Sequence, residues 1–228
     1  MNLAVIVLIT TFLLVLVTVI YQNIQDNKTL KTVTKLHRGT RTERLMILQL
    51  LKSGVPHQAI FHDLYLKKRG ENYCQIEIVI ATKVGIVVCE IKKYNGWIFG
   101  LANQKYWTQV LAYGKRKYRF YNPIMQNTNH IRDLKQQLPQ FQNVPFYSLI
   151  VFFGNCTFKN LDYLPIDTYL VHSSESIRIL QEILNQKPQI SYTNKNQIVN
   201  LLNSAVQNGE KKEIIDKHIQ NIKRYWVD

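Results

Sequence analysis

Residues 73–94 read YCQIEIVIATKVGIVVCEIKKY, and the fold is decided there. On either side of Thr82-Lys83-Val84-Gly85 the side chains alternate with a period of two, the pattern of antiparallel strands joined by a tight turn. In the first strand, alternation puts Ile76, Ile78 and Ile80 on one face and Gln75, Glu77 and Val79 on the other. In the second, Ile86, Val88, Glu90 and Lys92 stand together, opposite Val87, Cys89 and Ile91. A turn centred between Lys83 and Val84 sets Glu77 directly across from Glu90, with Cβ atoms ~5 Å apart. Lys92 lies two residues further along the same face.

Two carboxylates forced together repel unless a cation sits between them or one is protonated. Oxygen ligands with open positions for water suit Mg²⁺ or Mn²⁺. A neighbouring lysine can orient or deprotonate an attacking water, and a metal can stabilise charge developing on a phosphate. The pattern is therefore equipment for phosphodiester hydrolysis. A carboxylate followed later by ExK also arises by chance, and the plain alternative is a solvated sheet face. Val79, Ile86 and Val88 continue that face, which argues against a wet one.

Outward from the hairpin, Gly39–Ser53 (GTRTERLMILQLLKS) reads as a helix stopped by Gly54, with Glu43, Met46, Ile47 and Leu50 on one face. Ala59–Leu66 reads as a strand preceding the hairpin. After it, the sequence predicts a strand around Trp97–Phe99 and a hairpin of Trp107–Tyr113 and Lys117–Tyr121 about Gly114. Asn122-Pro123 is a helix start, Asn as N-cap and Pro at the first helical position, and that helix should reach about Leu138. Phe146–Phe153 and Thr168–His172 read as strands, and the tail from Ser174 as helices broken at Lys187-Pro188 and Asn208-Gly209. This order predicts an α/β fold, a mixed central sheet flanked by helices.

Ahead of the domain, Leu3–Tyr21 (LAVIVLITTFLLVLVTVIY) carries no charge. A helix of that length just crosses a hydrocarbon core of ~30 Å. No basic residue precedes it and no small-residue cleavage pattern follows, so it reads as an uncleaved transmembrane anchor. Lys28, Lys31, Lys35 and Arg38 all follow it, which places the C-terminal domain in the cytoplasm by the positive-inside tendency. The expected organisation is an anchor at 1–22, a linker at 23–35, an α/β domain at 36–172 and a helical extension at 173–228.

With 29 Lys+Arg against 15 Asp+Glu, the net charge of +14 favours a polyanionic partner, nucleic acid or an anionic bilayer, and composition does not separate the two. A hydrophobic content of 46% excludes a disordered chain. Cys74, Cys89 and Cys156 lack the spacing of zinc ligands and read as buried, reduced thiols.

Over residues 36–138 the chain resembles the NERD (nuclease-related) domain family and, through it, the PD-(D/E)xK restriction-endonuclease-like superfamily. The resemblance rests on Gly39-Thr-Arg-Thr-Glu43, Gln75-Ile-Glu77, Glu90-Ile-Lys92 with Gly96 and Gly100, Trp107, and Asn122-Pro-Ile-Met-Gln126. It implies a restriction-endonuclease-like core in which Glu43 is the helix acid, Glu77 and Glu90 the metal ligands, Lys92 the catalytic lysine and Gln126 a polar group from the next helix. It also implies Mg²⁺ or Mn²⁺ as cofactor and nucleic acid as substrate, DNA rather than RNA. Two positions depart from the pattern: Glu77 stands where Asp is usual, and Thr42 where a Gly usually precedes the helix acid.

Basic residues cluster at Lys67-Lys68-Arg69, Lys92-Lys93 and Lys115-Arg116-Lys117-Tyr118-Arg119. The last group, with Tyr113, Phe120 and Tyr121, interleaves cations and aromatic rings as backbone-binding surfaces do, so Lys93, Lys115, Arg116, Lys117 and Arg119 are candidate nucleic-acid contacts. A solvated hairpin tip or a lipid-headgroup contact would look the same. The six histidines show no ligand spacing and receive no role. Three readings stay open: a membrane-anchored nuclease, a nucleic-acid-binding module that does not cut, and a membrane scaffold for a protein partner.

Overall fold

The computed structural model describes residues 2–68, 72–137, 139–161 and 163–225; Arg69 and Leu138 lie outside them. Chain order runs α1 (Leu3–Leu30), α2 (Arg41–Lys52), β1 (Ile60–Lys67), β2 (Tyr73–Thr82) and β3 (Gly85–Lys93). Then come β4 (Gly96–Phe99), β5 (Tyr106–Leu111), β6 (Arg116–Tyr121) and α3 (Pro123–Lys135). After β7 (Phe146–Phe153), β8 (Cys156–Lys159) and β9 (Thr168–His172), helices α4 (Ser176–Gln186), α5 (Lys195–Asn208) and α6 (Lys212–Tyr225) follow.

The mixed α/β architecture is present, as two sheets. Five strands in the order β1-β2-β3-β7-β9 form the main one, antiparallel across β1, β2 and β3 and parallel across β3, β7 and β9. Four strands in the order β6-β5-β4-β8 form the second, in which β4 and β8 run parallel. Strand β8 was not foreseen, because four residues are too few to show a period. Central β3 and β7 are buried along nearly their whole length, as strands covered on both faces are.

One face of the main sheet packs Val87, Cys89, Ile91, Leu149 and Val151 against α2, α4 and Leu30 at the end of α1. The other packs Ile76, Val79, Ile86 and Val88 against Leu134 of α3 and Ile198, Leu202 and Ala205 of α5. Each fully buried side chain of this size contributes ~1.5–3 kcal/mol of transfer free energy. The second sheet closes on the end of β7, where Ile98, Trp107 and Phe120 meet Ile150 and Phe152.

Strict alternation in β2 fails at one point. Ile78 and Ile80 enter the first core, but Ile76 enters the second, together with Val79. The cause lies on the neighbouring strand. Asp63 has a left-handed backbone (φ 55°), and the regular rungs skip from His62–Ile78 to Leu64–Ile76, so both strands change faces there. Arg38 holds that kink: its guanidinium donates to the Asp63 carbonyl at 2.6 Å and to its carboxylate at 3.0 Å, both groups being buried.

Helix α1 also corrects an expectation. Residues 23–35 were expected to be a linker, yet the helix continues to Leu30 without a proline or glycine to stop it. Its end docks on the domain through buried Leu30 and an Asp26–Lys52 ion pair at 2.6 Å. Likewise the helices after residue 173 are part of the fold, since α4 and α5 complete the two cores.

Candidate active site

The β2–β3 ladder runs from Thr82 opposite Gly85 to Ile78 opposite Cys89, the register expected from the turn, and stops there. Beyond that rung β2 stays with β1 while β3 stays with β7, so the two strands part and leave a wedge. Glu77 therefore does not face Glu90 across a regular rung. Its carboxylate spans the gap and accepts the backbone N–H of Ile91. That brings it close enough to Glu90 for their charges to interact: burial first, and the Glu90 charge second, hold the Glu77 carboxyl well above the usual range.

Glu90 has no solvent-exposed surface. Burial pushes its pKa up, but the Lys92 ammonium and His130 outweigh that and hold it below the ordinary value. Lys92 Nζ donates to Glu90 Oε1 and, at 3.1 Å, to Gln126 Oε1. Burial would lower the Lys92 pKa, but Glu90 and Glu77 together raise it, so the amine is a cation. The pleat that turns Lys92 into the wedge turns Lys93 to the opposite side of β3.

Helix α3 supplies the other wall. Asn122 is its N-cap, accepting from the N–H groups of Ile124 and Met125, while its amide donates to the carbonyls of Leu101, Ala102 and Gln104. That pins the β4–β5 loop to the helix and fixes where Gln126 emerges, one turn later. Trp107, fully buried, donates to Leu101 from the other side and lies flat on Gly100, where a Cβ would fall 2.3 Å from the indole. Asn127 anchors the helix to the sheet through Val88 O and Ser148 Oγ, each at 2.8 Å.

Sequence reasoning missed two histidines. His130, one turn after Gln126 on α3, places Nε2 3.5 Å from Glu90 Oε2, and neither ring nitrogen has a hydrogen-bond partner among the described residues. Its i, i+4 relation to Gln126 was the available signal. His62 lies on β1, with Thr34 Oγ1 2.7 Å from Nδ1 and Glu43 Oε2 3.1 Å from Nε2. Glu43 is thus already occupied: Oε2 meets His62, and Oε1 closes a capping box with Thr40. Burial raises its pKa, and the His62 and Thr40 bonds lower it by more. Gly39 (φ 60°) makes room for this pair, since a Cβ would sit 2.4 Å from Glu43 Oε2 and 2.5 Å from His62 Nε2.

Among the described residues, no three His, Cys, Asp or Glu side chains gather as a metal cage. What the wedge offers is Glu77 beside Glu90, whose buried Oε2 has His130 Nε2 3.5 Å away but no donor in hydrogen-bond geometry among the described residues. An anionic oxygen left without a donor in the protein interior calls for a positive partner. The donor set fits a hard cation that keeps part of its shell for water and phosphate oxygens, as Mg²⁺ does.

The basic residues Lys115, Arg116, Lys117 and Arg119 are exposed on β6 and the turn before it, at the edge of the second sheet. Arg119 lies over the Tyr106 ring at 4.9 Å. Cys74, Cys89 and Cys156 are free and buried, and burial raises the pKa of each.

Comparison with known proteins gives two findings. Residues 38–153 match the family model described as the nuclease-related domain, NERD. An uncharacterized protein of Bacillus anthracis is 24% identical over 196 residues, covering 84% of this chain and 88% of the relative. No solved structure matches.

Proposed function

The chain belongs to the nuclease-related domain family, and on that premise we propose that it is a membrane-anchored, divalent-cation-dependent nuclease that hydrolyses DNA phosphodiester bonds. The observation that carries this reading is Glu90, fully buried, with one oxygen on Lys92 and the other, 3.5 Å from His130 Nε2, without a donor in hydrogen-bond geometry among the described residues, beside a second carboxylate at Glu77.

In this reading Glu77 and Glu90 hold Mg²⁺ or Mn²⁺. The ion, when bound, supplies Lewis acidity toward a phosphate oxygen and lowers the pKa of a coordinated water. Lys92, being cationic, donates hydrogen bonds to the attacking water or to the phosphate oxygens as their charge grows, and Gln126 holds its ammonium on that line. Glu43 works at one remove. It is a positioning residue, fixing His62 next to the Asp63 kink from which the wedge opens. Lys93, Lys115, Arg116, Lys117 and Arg119 would contact the nucleic-acid backbone away from the reacting phosphate.

Helix α1 supports the membrane part of the reading. It is one helix long and apolar enough to cross a bilayer, with a mean hydropathy of 2.8 over its most apolar window and none of that window buried in the protein. Thr10, Thr11 and Thr18 return their hydroxyls to carbonyls three or four residues back, so none of these three donors faces lipid unpaired. The cations that follow it favour a cytoplasmic domain.

The test is direct. The full chain in detergent micelles is incubated with plasmid and Mg²⁺ or Mn²⁺. Nicking or linearisation that disappears with Glu90→Gln and with Lys92→Gln is the expected result, and a wild-type chain that cuts with neither ion overturns the reading. Salt-sensitive binding without cutting would instead mark a binding module.

A further inference from the structure

A cleft of about 900 Å³ opens beside the wedge, between α3 and α6, with the start of β2 as its floor. Gln126 and His130 line it at the end nearest Glu90, so it is continuous with the site described above. Its outer part has no role in that site. Among the described residues, three cations line it, Lys68, Arg132 and Lys135, against one acid, Asp133, which is already paired with Lys68 at 2.9 Å. Arg132 is exposed and has no ion-pair partner among the described residues. The Lys135 ammonium lies 5.2 Å from the Phe146 ring centroid, which steadies its stem at the cleft edge.

Helix α6 makes the opposite wall. His218 Nδ1 donates to the Tyr73 carbonyl at 2.9 Å, and the Asn221 amide donates to Asn72 at 2.8 Å, so α6 is tied to the beginning of β2. These α6 residues fall outside the stretch 38–153 that the family model matches.

We infer that the cleft between α3 and α6 binds single-stranded nucleic acid, its backbone along Lys68, Arg132 and Lys135 and its bases beside the rings of Tyr73 and His218. This deepens the nuclease reading and rests on it for the strand's destination, the carboxylates behind Gln126 and His130. The argument is one of shape and charge. A recess of this volume is at the upper end of the pocket sizes that enclose a ligand, about 300–1,000 Å³. A duplex keeps its bases stacked inside a stiff rod, whereas a single strand bends into a recess and offers its bases to flat side chains. Cations along a groove with rings at its wall are the usual equipment for that ligand. Glu90 has no exposed surface and Lys92 only 18%, so the reacting phosphate must be brought in to them.

The experiment uses the full chain in detergent micelles with EDTA, a fluorescently labelled single-stranded oligonucleotide, and the same oligonucleotide as a duplex. Anisotropy titrations at several salt concentrations should show the single strand bound at least ten-fold more tightly than the duplex. Arg132→Gln, which removes no folded-state partner, and Lys135→Gln should each weaken single-strand binding several-fold. Each should also flatten the slope of log K against log salt by about 0.7. Equal or tighter duplex binding overturns the inference. So do unchanged affinity and slope in both variants, or weakening confined to a Lys115→Gln/Arg116→Gln pair. If the strand binds as stated but nothing is cut with Mg²⁺ or Mn²⁺, the cleft stands and the nuclease reading falls. If plasmid is cut while the variants bind normally, the reverse holds.

Discussion

The Glu77 carboxylate accepts the Ile91 N–H across the gap where β2 and β3 separate, and so replaces a missing rung of the ladder with an acid. Glu77→Gln keeps an oxygen for that N–H and removes the charge that opposes Glu90. Without divalent cations the variant should melt higher than wild type, at ~2–4 °C per kcal/mol gained in a chain of this size. Adding Mn²⁺ should raise the wild-type Tm and leave the variant's unchanged. Glu77→Ala should instead melt lower, because an unpaired buried N–H costs ~1–3 kcal/mol. Differential scanning fluorimetry reads all three.

Glu90 depends on Lys92 for its charge. Lys92→Met leaves a fully buried carboxylate without its ammonium and should destabilise the protein by ~3–5 kcal/mol, measured by urea denaturation. The double variant Glu90→Gln/Lys92→Met should recover most of that stability. It should recover none of the plasmid cutting, which separates the structural need for the pair from the chemical one.

Glu43 predicts a pH dependence. Its folded pKa is depressed below the ordinary 4.5, so it contributes stability that is present above that value and lost as pH falls through the folded value. Glu43→Gln, which keeps an oxygen for the Thr40 N–H but removes the charge facing His62, should cost ~0.5–1.5 kcal/mol at pH 7. The difference from wild type should shrink progressively below pH 4.5. A gap between the two melting curves that stays constant down to low pH would sink this account.

The junction between anchor and domain predicts an asymmetry between truncations. A chain beginning at residue 23 keeps the Asp26–Lys52 pair and buried Leu30, whereas one beginning at residue 32 loses both. The shorter chain should be less stable by ~1.5–3 kcal/mol, the transfer free energy of a buried leucine. Circular-dichroism melts of the two truncated proteins check this.

Much of the fold could be read in advance wherever a local rule governs. The turn at Thr82–Gly85 and the Asn122-Pro123 helix start were legible because turn chemistry and N-capping act over four residues. The kink at Asp63 was not, because a buried guanidinium from Arg38, far off in sequence, holds that backbone. The same gap explains the histidines. His62 and His130 matter through partners on other elements, Glu43 and Glu90, and no spacing rule reaches that far. Residues 23–35 were misread because polarity suggests a linker, while Leu30 finds a hydrophobic seat only once α2 is folded.

By itself, then, the sequence determined an apolar N-terminal helix, a β-hairpin carrying two acids and a lysine, and the order of the elements around it. Periodicity, capping and turn residues are short-range forces written in adjacent letters. Only the tertiary structure decided that β2 and β3 part beyond Ile78 and Cys89, that Glu77 fills the gap, and that α3 and α6 wall a cleft beside it. Those outcomes depend on which buried charges find partners across the fold, and desolvation makes that choice only when distant segments meet.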